Sequence, residues 1–307
     1  MPLRLQIPRV DGLSKEVFER DYRSQGKPVV FTGSIKHWPA LSKWTFAFFK
    51  ERFGNLPVTA ALDLPDREIP YSVPQRLHNK DMTLGEFIHH LEGAPARPCY
   101  VHQRPIDLFP GLRDDLDYTV LTDDFARAPL VTLWFGSAGT FSGLHFDGDD
   151  NLYTQIVGAK RVLLVDPSQA RLLYPYKWDF CKSQVDAELP DLKKFPAFEE
   201  ATVYETDLKS GEVLFMPRVW WHQLRSLAPT ISIGHNFGEA FRLGEHTRVL
   251  NQLGIAYWAE ILKQVMVNGV LGVEMDNPLY SYAPPGKMFY DYVKEEIADR
   301  LGLGAGK

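Results

Sequence analysis

Between residues 128 and 238 short β-prone runs alternate with turn residues, and this rhythm constrains the fold more than any other feature. Leu130–Phe135 is rich in β-branched and aromatic side chains and ends at Gly136-Ser137-Ala138-Gly139. Asn151–Val157 and Lys160–Val165 flank Gly158-Ala159, the pattern of two strands joined by a two-residue hairpin. Val213–Met216 follows Ser210-Gly211, Val219–Leu224 follows Pro217, and Thr230–Phe237 alternates apolar with small polar residues. Many short strands with such punctuation predict an antiparallel sandwich or barrel.

The flanks read differently. Before the β-rich stretch, Pro28–Phe31 is a strand closed by Thr32-Gly33, and Thr45 caps a helix that runs to about Phe53. Thr83-Leu84-Gly85-Glu86 has the spacing of a capping box and opens a helix through about Leu91. Tyr100-Val101-His102 resumes extended structure. From Gly244 onward, Leu250, Leu253, Tyr257, Ile261 and Val265 fall on one face of a long helix. Pro278 and Pro284-Pro285 interrupt it, and Met288, Phe289, Tyr292, Val293 and Ile297 form a second amphipathic stretch. The expected organisation is mainly β. An N-terminal α/β elaboration (1–127) precedes a catalytic core (128–243), and a C-terminal helical pair (244–307) follows.

Composition removes several classes. A hydrophobic fraction of 45% and a charged fraction of 24% over 307 residues exclude disorder. Lys+Arg 34 against Asp+Glu 39 gives a net charge of −5, so no global attraction to nucleic acid or an anionic membrane follows. No apolar run is long enough to span a bilayer, and Met1–Arg9 lacks the continuous apolar core of a secretion signal. Cys99 and Cys181 are too few for a disulfide scaffold. A reduced, cytoplasmic setting is expected.

His145-Phe146-Asp147 puts an imidazole and a carboxylate two residues apart, so in extended chain both reach one side. Taken alone, the pair is a weak signal. His222, in Trp220-Trp221-His222-Gln223, adds a second imidazole. Two histidines and one carboxylate make the facial triad that leaves positions open on a non-haem Fe(II). A structural zinc site would use four protein ligands. Lys160, at the start of a strand, fits a barrel interior only where an anion meets it, as the far carboxylate of a dicarboxylate would.

The motifs in order resemble the core of the Jumonji-C oxygenases. They are Trp134-Phe135-Gly136, Leu144–Asp147, Asn151–Arg161, Leu172–Pro175, Ser183–Asp186, Pro190–Pro196 and Gly211–Pro217 up to Trp221-His222. The run is most similar to the hydroxylase branch, which includes the asparaginyl hydroxylase that inhibits hypoxia-inducible factor and the arginyl-hydroxylase-like members. The resemblance covers about residues 5–240. It implies a double-stranded β-helix of cupin (jelly-roll) type, with Fe(II), 2-oxoglutarate and O2. It also implies His145, Asp147 and His222 as iron ligands, and Lys160, Tyr100 and Ser142 around the distal carboxylate of 2-oxoglutarate. Asn151 and Asn236 correspond to asparagines lining the pocket.

The substrate half departs from the family pattern. Asp149-Asp150 stands where glutamines are usual, and Lys182 replaces a glutamine that the asparaginyl enzyme uses on its substrate. His102, two residues from Tyr100, is a further substrate-side candidate, as is His235 for the shell around the metal. The expected activity is hydroxylation of an amino-acid side chain in a protein, peptide or peptide-derived substrate, with succinate formed from 2-oxoglutarate. The alternatives are a catalytically silent cupin-type binding protein, a zinc-dependent hydrolase on the same ligands, and a hydroxylase of a tRNA base or small molecule. The apolar helical stripes predict a homodimer through about residues 244–303.

Overall fold

The computed structural model describes residues 1–65, 75–122, 130–238, 241–274 and 283–301. The expected boundary at 127/128 and the break at Pro278 lie outside the described residues. The N-terminal part runs β1 (Leu3–Gln6), β2 (Arg9–Asp11), α1 (Lys15–Phe18), β3 (Val29–Thr32), α2 (Ala40–Lys43), α3 (Phe46–Phe53), β4 (Pro57–Ala61), β5 (Asn79–Thr83), α4 (Leu84–Glu92) and β6 (Tyr100–Pro105). Then come β7 (Leu130–Gly136), β8 (Phe141–His145), β9 (Asp150–Val157), β10 (Ala159–Val165), β11 (Thr202–Lys209), β12 (Glu212–Met216), β13 (Trp221–Ser226) and β14 (Thr230–Phe237). Helices α5 (Leu243–Leu253), α6 (Ile255–Gln264) and α7 (Pro285–Arg300) close the chain.

Strands β7 to β14 are dealt between two sheets. One carries the order β12-β9-β14-β7, the other β11-β10-β13-β8. This is the double-stranded β-helix, a mainly β jelly-roll with helices packed outside it. The first sheet is widened by β2-β3 at one edge and β6-β4-β5 at the other, and β1 pairs in parallel with β11.

The Gly158 corner differs from expectation: β9 and β10 are not a hairpin. β9 pairs with β12 and β14, whereas β10 pairs with β11 and β13. Gly158 has φ +77°, and a Cβ there would lie 2.3 Å from the Pro229 carbonyl oxygen. The chain turns a corner from one sheet into the other, pressed against the β13–β14 connection, and only glycine fits.

Alternation explains the layers. Leu133, Phe135, Leu152, Ile156, Val213, Phe215, Ile231 and Ile233 face outward from the larger sheet, onto Phe49 of α3 and Phe87 of α4. The capping box expected at Thr83 and Glu86 opens α4, and Thr45 caps α3. Behind the smaller sheet, Leu144, Leu163 and Trp221 pack with Leu250, Ile261 and Phe289 from the C-terminal helices. Between the sheets Tyr153, Val162, Leu164, Leu208, Leu214 and Leu224 form a smaller core.

The single long C-terminal helix is also corrected. Gly254, at φ +88°, breaks it into α5 and α6, so the described residues hold three helices and not a pair. The first apolar stripe packs back on the chain's own smaller sheet, Leu250 and Ile261 inside the core and Leu253, Tyr257 and Val265 against it. Ile261 and Phe289 are buried there, each contributing about 1.5–3 kcal/mol of apolar transfer. Leu262, Met266, Val293 and Ile297 remain exposed. No helix among the described residues is long and apolar enough to cross a membrane.

Candidate metal centre

His145 is the last residue of β8 and His222 the second of β13, and the two are direct cross-strand partners. Side chains of paired residues share a face of the sheet, so 77 positions of sequence separation close to a ring-centroid distance of 4.2 Å. Asp147 does not continue the strand, contrary to the extended-chain expectation. It lies in the turn to β9, with its carbonyl accepting from the Val219 N–H at 2.8 Å. Its Oδ2 is 3.5 Å from His222 Nε2, and one ligand atom from each residue falls within 4.8 Å of the others.

Both imidazoles are oriented from behind. His145 Nδ1 sits 2.7 Å from the Gly143 carbonyl oxygen and His222 Nδ1 3.0 Å from that of Trp220. A carbonyl only accepts, so Nδ1 carries the proton and Nε2 presents its lone pair to the interior, as metal-ligating histidines require. Burial, helped by the neighbouring His222, holds the His145 imidazole down to about 4, which keeps it neutral at physiological pH. Burial raises the Asp147 carboxyl, but the adjoining His222 and His145 imidazoles and Lys182 outweigh it and leave the group ionised. Two imidazoles turned by backbone carbonyls and one carboxylate, all facing one point, fit Fe(II) with open positions.

The same interior surface holds the expected co-substrate residues. Ser142 pairs with Leu224 and His145 with His222, so between these pairs two residues of β8, Gly143 and Leu144, oppose the single Gln223 of β13. That bulge points Ser142 and His145 the same way, although their spacing in a regular strand would put them on opposite faces. Asn151 pairs with Asn236 across β9 and β14. Tyr100 pairs with Gly136, where a Cβ would come within 3.0 Å of the Tyr100 ring.

Lys160 is 2% exposed, and its Nζ donates to the Tyr153 hydroxyl at 2.7 Å. It also lies 5.4 Å from the Tyr100 ring centre. Among the described residues no carboxylate lies within ion-pair distance of it. A buried ammonium facing only neutral phenols is stable when an anion joins it. The expected co-substrate carries such a charge at its far end, and the residues present fit it. Tyr153 escaped the sequence reading. Its signal was present, since it lies two residues after Asn151 and therefore on the same strand face.

The substrate-side candidates divide. Asp149 Oδ2 accepts from Asn236 Nδ2 at 3.3 Å, its Oδ1 is buried with no hydrogen-bond partner, and burial pushes its carboxyl up to about 6. His102 joins Tyr100 and Trp134 in a wall of three rings with centroids 5.7–6.2 Å apart. Asp150 is already engaged, because Arg23 and the Arg218 backbone N–H both donate to it. Lys182, 2% exposed, is bound to the Asp179 carboxylate. His235 faces away from the interior, against Tyr118 with ring centroids 4.6 Å apart.

A double-stranded β-helix with a histidine–aspartate–histidine cluster on its inner face defines a cupin-type metal protein. Residues 14–242 match the cupin-like domain family, and the chain belongs to it, within its Jumonji-C group of Fe(II)/2-oxoglutarate oxygenases. The chain is 35% identical over 234 residues to "Lysine-specific demethylase 8" of Xenopus tropicalis, covering 74% of this chain and 52% of that protein. It is 30% identical over 241 residues to "tRNA wybutosine-synthesizing protein 5" of Homo sapiens, covering 72% and 74%. It is 26% identical over 267 residues to the human "Bifunctional peptidase and (3S)-lysyl hydroxylase JMJD7", covering 75% and 83%. The chain spans little more than half the length of the demethylase-named relatives. The cofactors of the group are Fe(II), 2-oxoglutarate and O2, the set that the triad and Lys160 fit.

Proposed function

We propose that the chain hydroxylates an amino-acid side chain of a protein, peptide or peptide-derived substrate: R–H + 2-oxoglutarate + O2 gives R–OH + succinate + CO2. The observation that carries this reading is Lys160, a buried cation without a counter-charge on the wall that also bears the triad. When bound, the iron and 2-oxoglutarate supply O2 activation, which no side chain here provides.

The chain's own residues hold and orient. His145, Asp147 and His222 hold the metal, and the Gly143 and Trp220 carbonyls fix the two rings. Lys160, with Tyr153, Tyr100 and Ser142, clamps the far end of the co-substrate. Asn151 and Asn236 offer amides beside it. A zinc hydrolase or a silent cupin has no use for such a clamp. Asp149 Oδ1, on the metal side of the pocket, accepts a cationic N–H group of the substrate, which makes a lysine or arginine side chain the favoured target. The words "lysine-specific" and "lysyl" in the relatives' names point the same way.

Succinate release across a panel of basic and neutral peptides, with mass spectrometry of the product, tests this. Retained oxygen supports hydroxylation, and release of formaldehyde from an N-methyl substrate supports the demethylation named among the relatives. Oxygen added only to tRNA supports the second reading, which rests on the similarity to the wybutosine protein. Asp147→Ala is expected to abolish turnover while the fold persists.

The exposed residues Leu262, Met266, Val293 and Ile297 lead us to assign residues 244–307 to a homodimer contact. Leu262→Glu with Met266→Glu should halve the sedimenting mass from twice 35.0 kDa. A wild-type monomer at micromolar concentration contradicts it.

A further inference from the structure

The turn that carries Asp147 is held from one side by the N-terminal segment. Asp150, three residues on, is 2% exposed, and its Oδ2 accepts from Arg23 Nε at 3.3 Å. Its Oδ1 accepts from the Arg218 backbone N–H at 3.1 Å, with Arg218 Nε 3.7 Å away. The Arg23 guanidinium lies 4.7 Å over the Phe237 ring on β14, which fixes it sideways. Arg218 reaches on to Glu245 of α5 at 3.4 Å.

The turn before His222 is held from the same place. Trp220 donates its indole N–H to the Gly26 carbonyl at 2.9 Å, and the Trp220 carbonyl is the group that orients His222. Between them Val219 has φ +55°, a left-handed conformation that a β-branched residue takes only under constraint. In that conformation its N–H meets the Asp147 carbonyl.

We infer that residues 19–26 are a clamp on the metal centre, in which Arg23 acts through Asp150 on Asp147 and Gly26 through Trp220 on His222. Asp150, Arg23 and Trp220 are positioning residues and touch no ligand atom themselves. The inference rests on the oxygenase reading only in taking the triad as the metal site. It also explains why Asp150 stands beside the site without being available to substrate.

The test is Co(II) titration of the metal-stripped full chain, followed by calorimetry and by the ligand-field absorption of the ion. Asp150→Asn keeps the size and an acceptor for the Arg218 N–H but removes the charge that Arg23 holds. It should weaken Co(II) binding about 10–100-fold and alter the absorption. Arg23→Met should act in the same direction, and Arg23→Lys should restore part of the loss. Arg225→Met, which breaks a comparable ion pair with Glu188 on the outer face of the smaller sheet, should leave the affinity unchanged. The double variant Arg23→Met with Asp150→Asn removes both charges, so a merely structural role predicts recovered affinity and the clamp predicts continued weakness. Wild-type affinity and spectrum in Asp150→Asn, or full recovery in the double variant, overturns the clamp. Co(II) uptake by the wild type with a spectrum that 2-oxoglutarate does not change is instead a failure of the oxygenase reading, and the affinity comparison still decides the clamp.

Discussion

Lys160 and Lys182 are both 2% exposed, yet only one of the two charges is completed inside the fold. Lys182 is locked to Asp179 beneath the Trp178 ring, where both charges are satisfied inside the fold. Lys160 meets the Tyr153 hydroxyl and two phenol faces, all neutral. A buried charge with an internal partner is architecture, whereas a buried charge with neutral neighbours is half of an interaction completed from outside. The same test separates Asp150, held by Arg23 and Arg218, from Asp149, whose Oδ1 has no partner.

The largest expected effect comes from breaking the internal pair. Lys182→Ala leaves the Asp179 carboxylate buried alone and should cost about 3–5 kcal/mol of stability, read as a lower urea midpoint. Lys182→Met with Asp179→Leu should recover most of it. A Lys182→Ala chain as stable as the parent would erase the distinction.

A smaller effect is expected at the mouth. Asp149→Asn should weaken capture of a basic substrate by about 1.5–3 kcal/mol, seen as a raised KM, and leave 2-oxoglutarate affinity alone. Asp150→Asn, by contrast, should act on metal affinity and not on substrate charge preference. Equal KM values for basic and neutral peptides in the parent would remove the role given to Asp149.

The smallest effect concerns pH. His246 on α5 packs against Phe241, Phe146 and Phe289, and burial lowers its pKa despite a hydrogen bond to the Arg242 carbonyl. A depressed histidine favours the unfolded chain as it protonates. Its stabilisation is therefore full above about pH 6.5 and is lost as pH falls through the folded value. His246→Phe should flatten that part of the stability profile in a urea series, and an unchanged slope would assign the dependence elsewhere.

Sequence patterning carried the larger sheet well, because strands such as β7, β9 and β14 bury one face on α3 and α4 and alternate cleanly, and it singled out the three side chains that the fold brings together. It left β11 unassigned, since the outward positions of that strand carry the charged Glu205 and Asp207. In the fold they pair with Arg4 and Arg161 from the neighbouring strands. β8 was hidden by its glycine and its bulge. The Gly158-Ala159 dipeptide misled because a hairpin turn and a corner between sheets draw on the same residue type. Charges were the least legible of all. No local pattern tells Lys160 from Lys182 or Asp149 from Asp150, since the partners that decide their roles come from distant strands, helices and turns.

The central claim is that Lys160 completes its charge pair with the far carboxylate of 2-oxoglutarate. It is tested most directly by anaerobic calorimetry of the Mn(II)-loaded protein with 2-oxoglutarate and with 2-oxobutyrate, which keeps the 2-oxo acid but lacks the second carboxylate. The parent should prefer 2-oxoglutarate by about 2–5 kcal/mol. Lys160→Met should lose that preference while keeping Mn(II) affinity and the stability of the ligand-free chain. Equal binding of the two acids by the parent, or a preference that survives in Lys160→Met, would contradict the account.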